Sequence, residues 1–518
     1  ISGGWVLNNP QATAMRSRWQ FIRRGCLASP LTRLGKQIGY GINWHNDELN
    51  RYPMTSCGKP PPLVTARKRP MTIEVELKFL ADRDLGPELA QKLAAYTPLA
   101  MTDRQLSNTY FDTEERTLRS WQCGLRVRTE DGRHEQTIKC AGQSVGGLHQ
   151  RPEYNLPLEG EWPQLAAFPA EIWPQGSDLG ALQNGLRPQF RTDFRRQAWR
   201  LRLADGSEVE LAFDQGVIEA AGRQEPLCEL ELELISGQTE SLFTLAAELL
   251  NLGGLRLSGI SKAQRGYRLA GLTPEPEVQR MGFVPVQESM SVADGLLAVF
   301  GYALTHWQYH EQLFIEQPSL AALTQLRNGA ALLQQTQPIF ADLLLDLPPR
   351  HWQSELSWLE GELAWLDEAL ALERLTDERG HYFRTLQCHD LLLEALQQRQ
   401  RQLPSLESVR QICHSSRYAG LMLALNHWLF AVRQAGSSYS ALAAQPLRPY
   451  AQAMLDQSWG ELHQGDMIAL QLDYAAYLSL VGKLRRNLLV GVCFAMLFDE
   501  EQQQGFRLPW LNILRRME

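Results

Sequence analysis

The chain has 518 residues, 44% of them hydrophobic and 21% charged, with a formal net charge of −7, a composition that fits a globular protein of two to four domains at about 150 residues each. Residues 1–70 carry eleven Lys/Arg against Asp47 and Glu48, a balance of +9 that leaves −16 for the remainder, and an acidic body of this kind argues against nucleic acid as a partner. Eight cysteines without a CxxC pair speak against a zinc ribbon or thioredoxin-like site and fit reduced thiols in the cytoplasm, while the longest apolar run, the eleven residues 488–498, is too short to cross a membrane.

In chain order, residues 1–70 lack hydrophobic periodicity and end in Lys59-Pro60-Pro61-Pro62 and Arg67-Lys68-Arg69-Pro70. Met71 directly precedes the first clean strand, so 1–70 is expected to be an appended or disordered extension. Residues 71–270 then alternate short strands with two helical stretches, 84–96 and 240–251. Asp131-Gly132 and Asp205-Gly206 are hairpin signals, so 125–130 should pair with 136–140, and 198–203 with 208–213. A further turn is expected at Gly146-Gly147. Pro274-Glu275-Pro276-Glu277 marks a linker over 271–285. From 286 to 505 the pattern becomes long amphipathic helices, 292–311, 320–343, 352–375, 389–401 and 472–497, which should form an antiparallel bundle. Residues 506–518 are expected to be a tail.

Six segments of the first half place a charge at every second position: Glu74-Val75-Glu76-Leu77-Lys78, Leu125-Arg126-Val127-Arg128, Thr137-Ile138-Lys139, Trp199-Arg200-Leu201-Arg202, Val209-Glu210-Leu211-Ala212-Phe213-Asp214 and Glu229-Leu230-Glu231-Leu232-Glu233. Strand side chains alternate faces, so each segment has one apolar and one ionised face. For one segment alone, a solvent-facing sheet surface explains the pattern. Here some strands are purely acidic and others purely basic, which fits a shared interior that holds metal cations and a polyanion: a polar-lined barrel with its apolar side turned outward under helices.

The ExExK series Glu74-Val75-Glu76-Leu77-Lys78, followed in order by Tyr110-Phe111-Asp112-Thr113, Arg126 and Arg128, Lys139, Glu229-Leu230-Glu231 and Ser261-Lys262, resembles the CYTH superfamily, the triphosphate tunnel metalloenzymes. The resemblance covers about 200 residues. It implies an α+β protein, with an N-terminal eight-stranded antiparallel β-barrel tunnel and flanking helices, followed by an all-α helical-bundle domain. It also implies metal-dependent hydrolysis of inorganic tripolyphosphate to pyrophosphate and phosphate, with Mg²⁺ as cofactor and Mn²⁺ as a substitute. Longer polyphosphate is a further candidate substrate. Thiamine triphosphatase, class IV adenylate cyclase and a non-catalytic polyphosphate-binding scaffold are the alternatives.

On this resemblance Lys78, Arg126, Arg128, Lys139, Arg196, Arg200, Arg202 and Lys262 would bind the substrate, with Arg196 chosen over Arg195 by its parity with Arg200 and Arg202. Arginine forks grip phosphate oxygens bidentately and lysines supply compact charge. One metal would sit with Glu74 and Glu76 and a second with Glu153, Glu229 and Glu231; Asp214, inward with Glu210, would take a metal or pair with an arginine. Glu74, Glu76, Lys78, Glu229, Glu231 and Lys262 form the expected catalytic set, while Glu233, near a strand end, stays open between tunnel and solvent.

The helical half resembles the CHAD domain, which is associated with polyphosphate binding through His and basic residues. Its Ala322-Leu323-Thr324-Gln325-Leu326-Arg327 stretch has Thr324 at the usual His, Ala331 stands at a usual Arg, and Ala475 at the second His, although Lys483-Leu484-Arg485-Arg486 keeps basic character. A scaffold that supports or modulates the tunnel domain is the expected role.

Overall fold

The computed structural model describes residues 72–140, 142–145, 148–377, 389–436, 439–464 and 474–517. The expectations for 1–70 and for the Gly146-Gly147 turn lie outside these residues. Ten strands are described: β1 (Thr72–Ala81), β2 (Ala100–Asp112), β3 (Gly124–Glu130), β4 (Arg133–Lys139), β5 (Gln143–Val145), β6 (Leu148–Leu158), β7 (Arg187–Arg202), β8 (Glu208–Ala220), β9 (Arg223–Ser236) and β10 (Leu255–Leu257). Eight of them close on themselves in the order β1-β9-β8-β7-β2-β3-β4-β6 and back to β1, every pair antiparallel. β10 extends the edge of β1, and β5 that of β6. Closure removes the free edges that an open sheet must otherwise protect.

Turn chemistry sets the register. Asp131 and Gly132 both have positive φ (48° and 75°), the conformation of a two-residue hairpin loop, and they pair Glu130 with Arg133. Ala221-Gly222, which the sequence reading did not single out, makes the same turn at φ 50° and 72° between β8 and β9. Alanine at positive φ is strained, and this is why the signal was weaker there.

The outer face of the barrel is apolar and covered. Leu77, Phe79, Trp199, Leu201, Leu211, Phe213, Leu230 and Leu232 pack against helices Gly86–Leu93 and Glu240–Leu249, in a core that continues into Val299, Phe300 and Trp307 of the helical half. Leu125, Val127 and Ile138 form a second core with Leu118, Phe168, Trp173 and Leu186. No helix or strand lies between Leu269 and Val292, where the linker was expected. Helices then follow at Val292–Glu316, Leu320–Ile339, Ala341–Leu344, Gln353–Glu362, Leu366–Thr376, His389–Gln402, Leu406–Cys413, Ser416–Ala435, Leu447–Gln464, Tyr474–Phe494 and Glu500–Met517.

Three boundaries differ from expectation. The helix expected over 320–343 is interrupted after Ile339, next to Pro338, which lacks the N–H a helix interior requires. That over 352–375 breaks at 363–365, where Leu363 and Ala364 donate to carbonyls three residues back. The boundary expected at 505/506 falls inside Glu500–Met517 because Phe506 packs its ring on Trp459, centroids 5.5 Å apart. No helix among the described residues is long and apolar enough to cross a membrane.

Barrel and helices also share buried polar contacts. Arg256 of β10 donates from Nη1 to Glu311 Oε1 (3.0 Å) and from Nη2 to Gln312 Oε1 (2.6 Å), while Glu311 Oε2 accepts from Tyr418 Oη (2.9 Å), which in turn accepts from Trp307 Nε1 (2.7 Å). Arg256 is 7% and Glu311 1% exposed, so removing one partner strands the other charge. Glu311→Ala is expected to cost about 3–5 kcal/mol, measured as a lowered urea midpoint; a loss below about 1 kcal/mol, the range of exposed pairs, would show that the network is solvated.

Candidate functional site

Strand register decides which charges meet. Across β7, β8, β9 and β1 the directly paired residues are Arg196 with Asp214, Asp214 with Glu229, and Glu231 with Lys78. Across β3, β4, β6 and β1 they are Arg126 with Thr137, Lys139 with Glu153, Glu74 with Arg151, and Glu76 with His149. Since the apolar partners of these residues fill the outer cores, all of them line the inside of the barrel.

Lys262 enters from outside the sheet. It is the first residue of helix Lys262–Leu269, whose N-terminus is fixed by a capping box: Ser261 Oγ accepts from Gln264 N (3.2 Å) and Ser261 N donates to Gln264 Oε1 (2.8 Å). A Cβ at Gly266 would lie 2.1 Å from the Phe190 ring, so glycine is required for this helix to approach the sheet. The Tyr110-Phe111-Asp112-Thr113 motif serves the same end of the barrel structurally. Buried Asp112 accepts from Leu118 N, Arg119 N and Tyr267 Oη at 2.9–3.0 Å, and Tyr110 stacks on Phe190 at 4.4 Å.

Two groups of carboxylates result. In the first, Asp214, Glu229 and Glu231 bring ligand oxygens within 4.8 Å of one another. Lys262 Nζ lies among them, 2.8 Å from Asp214 and 2.9 Å from Glu231 and in contact with Glu229. Lys78 Nζ is 2.8 Å from Glu229, and Arg196 reaches Asp214 through Nε (2.7 Å) and Nη2 (2.6 Å) and Glu231 through Nη2 (2.7 Å). Burial alone would raise the pKa of Glu231, but Lys262, Arg196 and Lys78 hold it well below the usual carboxylate range; Asp214 is likewise lowered, against burial, by Arg196 and Lys262. Asp214, and not the expected Glu153, completes this trio.

The second group is poor in cations. Lys139 Nζ is shared by Glu74 (2.6 and 2.7 Å) and Glu153 (3.3 Å), and Arg126 Nη2 lies 3.6 Å from Glu153. Glu76 pairs across the sheet with Glu233, and Glu233 with Glu210. Burial, then the charges of Glu76 and Glu153, push Glu74 up to about 8 despite Lys139. Its pairing with Glu76 and Glu210 places Glu233 in the tunnel rather than in solvent, and burial, with Glu153, Glu210 and Glu76, raises it to about 7.

Among the basic residues, Arg128 donates from Nε to Asn108 Oδ1 at 3.0 Å and has no carboxylate at ion-pair distance among the described residues. Arg200 and Arg202 have the inward parity but sit at the open end of β7, their side chains 45% and 59% exposed, both paired with Glu208 at 2.6 Å. Three lining residues were not anticipated: His149, Arg151 and Asn108. The parity that selects Glu153 also selects Arg151 and His149 when counted back along β6, past the Pro152 that obscures the strand pattern. The buried carboxylate trio fits a hard divalent cation, which takes oxygen ligands.

Residues 72–267 match the model of the CYTH domain and residues 298–486 that of the CHAD domain; the chain thus carries a CYTH domain followed by a CHAD domain. An inorganic triphosphatase of Haemophilus influenzae is 40% identical over 204 residues, which cover 38% of this chain and 55% of that protein, so the chain spans about half the length of this relative. Among solved structures, an adenylyl cyclase candidate from Hippeastrum reported to have a dominant triphosphatase activity is 18% identical, covering 39% of this chain and 98% of its own, with a TM-score of 0.28. The CHAD domain of Ricinus communis is 17% identical, covering 46% of this chain and 78% of its own, with a TM-score of 0.37.

The raised acids make stability depend on pH. Glu74 and Glu233 titrate near 4.5 when unfolded and at about 8 and 7 when folded, so the folded chain binds more protons in between and loses stability as pH rises through that window. The melting temperature of metal-free protein in EDTA is expected to fall from pH 5 to pH 8.5, and the fall to shrink in a Glu74→Gln, Glu233→Gln double variant. A melting temperature that rises over this interval would contradict the assignment.

Proposed function

We propose that this chain, a CYTH domain followed by a CHAD domain, hydrolyses inorganic tripolyphosphate to pyrophosphate and phosphate inside the barrel, with Mg²⁺ as metal and Mn²⁺ able to replace it. Arg128 carries this reading. An inward guanidinium whose hydrogen-bond partner is a neutral amide lacks, among the described residues, the carboxylate partner that Lys78, Arg126, Lys139, Arg196 and Lys262 find, and it calls for an anion from solution. The relative that is 40% identical, itself an inorganic triphosphatase, supports the same substrate class.

Arg126, Arg128 and Arg196 would hold phosphate oxygens through planar forks, while Lys78, Lys139 and Lys262 supply point charges at positions fixed by their strands and by the capped helix. Asp214, Glu229 and Glu231 would hold one divalent ion, and Glu74 with Glu76 a second, to polarise phosphoryl oxygens and to lower the pKa of water. Without ligands the acids and bases pair with one another, and with a cation held by the trio Lys262 would be free to bind phosphate. Catalysis in such a site is positioning and charge stabilisation of a phosphoryl group attacked in line by water. The helical domain would act as a brace: besides Arg256 and Glu311, Arg268 of the Lys262 helix pairs with Glu316 at 2.9 Å.

Phosphate release from tripolyphosphate, ATP and thiamine triphosphate, each with Mg²⁺, Mn²⁺ or EDTA, tests the proposal. Metal-dependent release that is fastest from tripolyphosphate is expected; tight binding without turnover would instead make the tunnel a scaffold for polyphosphate. Glu76→Ala should lower kcat by more than about 100-fold, the scale lost with one electrostatic contact to a transition state, at an unchanged melting temperature. Unchanged activity would remove Glu76 from the site.

A further inference from the structure

His149 is 1% exposed and lies on the inner face of β6, directly across from Glu76 of β1. Its neighbour Leu148 packs outward with the helices. The ring is close enough to Lys78, Lys139 and Glu231 to feel their charges, so it belongs to the chamber between the two carboxylate groups. Its Nδ1 is 2.9 Å from Arg151 Nη2, and its Nε2 has no hydrogen-bond partner among the described residues.

The contact to Arg151 fixes the protonation state. A guanidinium nitrogen can only donate, so Nδ1 must be the acceptor and the ring proton must sit on Nε2. Burial, reinforced by Arg151, Lys78 and Lys139, pushes the imidazolium pKa down to about 3, consistent with a neutral ring. Nε2–H is therefore a buried donor without an acceptor, an arrangement that costs free energy unless function fills it. It cannot be a metal ligand in this tautomer, because its lone pair is occupied by the proton. In a chamber lined mainly by charged groups, it complements an oxyanion without adding charge.

We propose that His149 is a substrate-binding residue, a neutral donor held in its Nε2–H tautomer by Arg151 and directed at a phosphate oxygen of the triphosphate. This rests on the tripolyphosphate reading above and extends it to a residue type that neither the ExExK series nor the arginine pattern includes. Arg151 becomes a positioning residue, acting through the ring.

Two measurements test it. Calorimetric titration of tripolyphosphate in EDTA, where turnover is suppressed, should show His149→Phe binding about 10- to 100-fold more weakly than the unmodified protein, the scale of a hydrogen bond to a charged acceptor. His149→Gln, which keeps an N–H donor, should stay within about threefold. Equal affinity for the Phe variant and the unmodified protein, or equal losses in both variants, would overturn the proposal; unmodified protein that neither binds nor hydrolyses tripolyphosphate would instead sink the functional reading. Independently of substrate, ¹⁵N shifts of the His149 ring, assigned by the Gln variant, should show a pyrrole-type Nε2 and a pyridine-type Nδ1 from pH 5 to pH 8, and a charged ring or the opposite tautomer would refute the assignment. Arg151→Met should loosen that tautomer preference and weaken tripolyphosphate binding in parallel; binding lost with the tautomer unchanged would mean that Arg151 acts on its own.

Discussion

Everything in the barrel depends on opposite charges meeting inside it in pairs. A carboxylate or ammonium taken out of water costs several kcal/mol even after relaxation, and this interior holds Glu74, Glu153, Asp214, Glu229 and Glu231 together with Lys78, Arg126, Lys139, Arg196 and Lys262. The sheet answers this in part through register: Asp214 stands between Arg196 and Glu229, and Lys78 beside Glu231, while Lys262 of the capped helix supplies a further counter-charge. A slip of one residue in any pairing would turn an ionised face into the Leu and Phe core. The charges therefore specify the register as strictly as the apolar residues do.

Neutralisation is incomplete, and its gaps differ on the two sides. On the β8 and β9 side three cations, Lys78, Arg196 and Lys262, match three acids, and Glu231 and Asp214 are held ionised. On the β1 and β6 side acids crowd one lysine, and Glu74 and Glu233 are driven toward neutrality. A divalent cation and a polyanion, as proposed above, would meet two different environments in one chamber.

Period-two charge patterning made the barrel lining legible in the sequence, because no other secondary structure puts Glu74, Glu76 and Lys78 on one face. The Asp-Gly turns were equally readable. What escaped depended on longer-range placement. Parity chose Arg200 and Arg202 correctly for face but could not tell depth, and both stand at the rim with Glu208. A linear pattern does not show which acid lies next to Glu229; register puts Asp214 there and Glu153 beside Lys139. His149 and Arg151 were hidden by Pro152 and by Gln150, a polar residue where the alternation calls for an apolar one. In the helical half the periodicity located the helices, while Pro338 and the 363–365 break were settled locally.

The closed order of strands has a temporal consequence. β1, the first described strand, is flanked by β6 and β9 and extended by β10, so its pairing waits for residues 148–153 on one edge, for residues 229–233 on the other and for residues 255–257 at its end. During synthesis the ExExK strand must remain unpaired on one side while the rest of the barrel is translated, over tens of seconds at the slower elongation rates. Its alternating charges keep it soluble through that interval, since an edge carrying Glu and Lys resists pairing with a stranger. The residues that line the tunnel in the finished protein thus also chaperone its first strand.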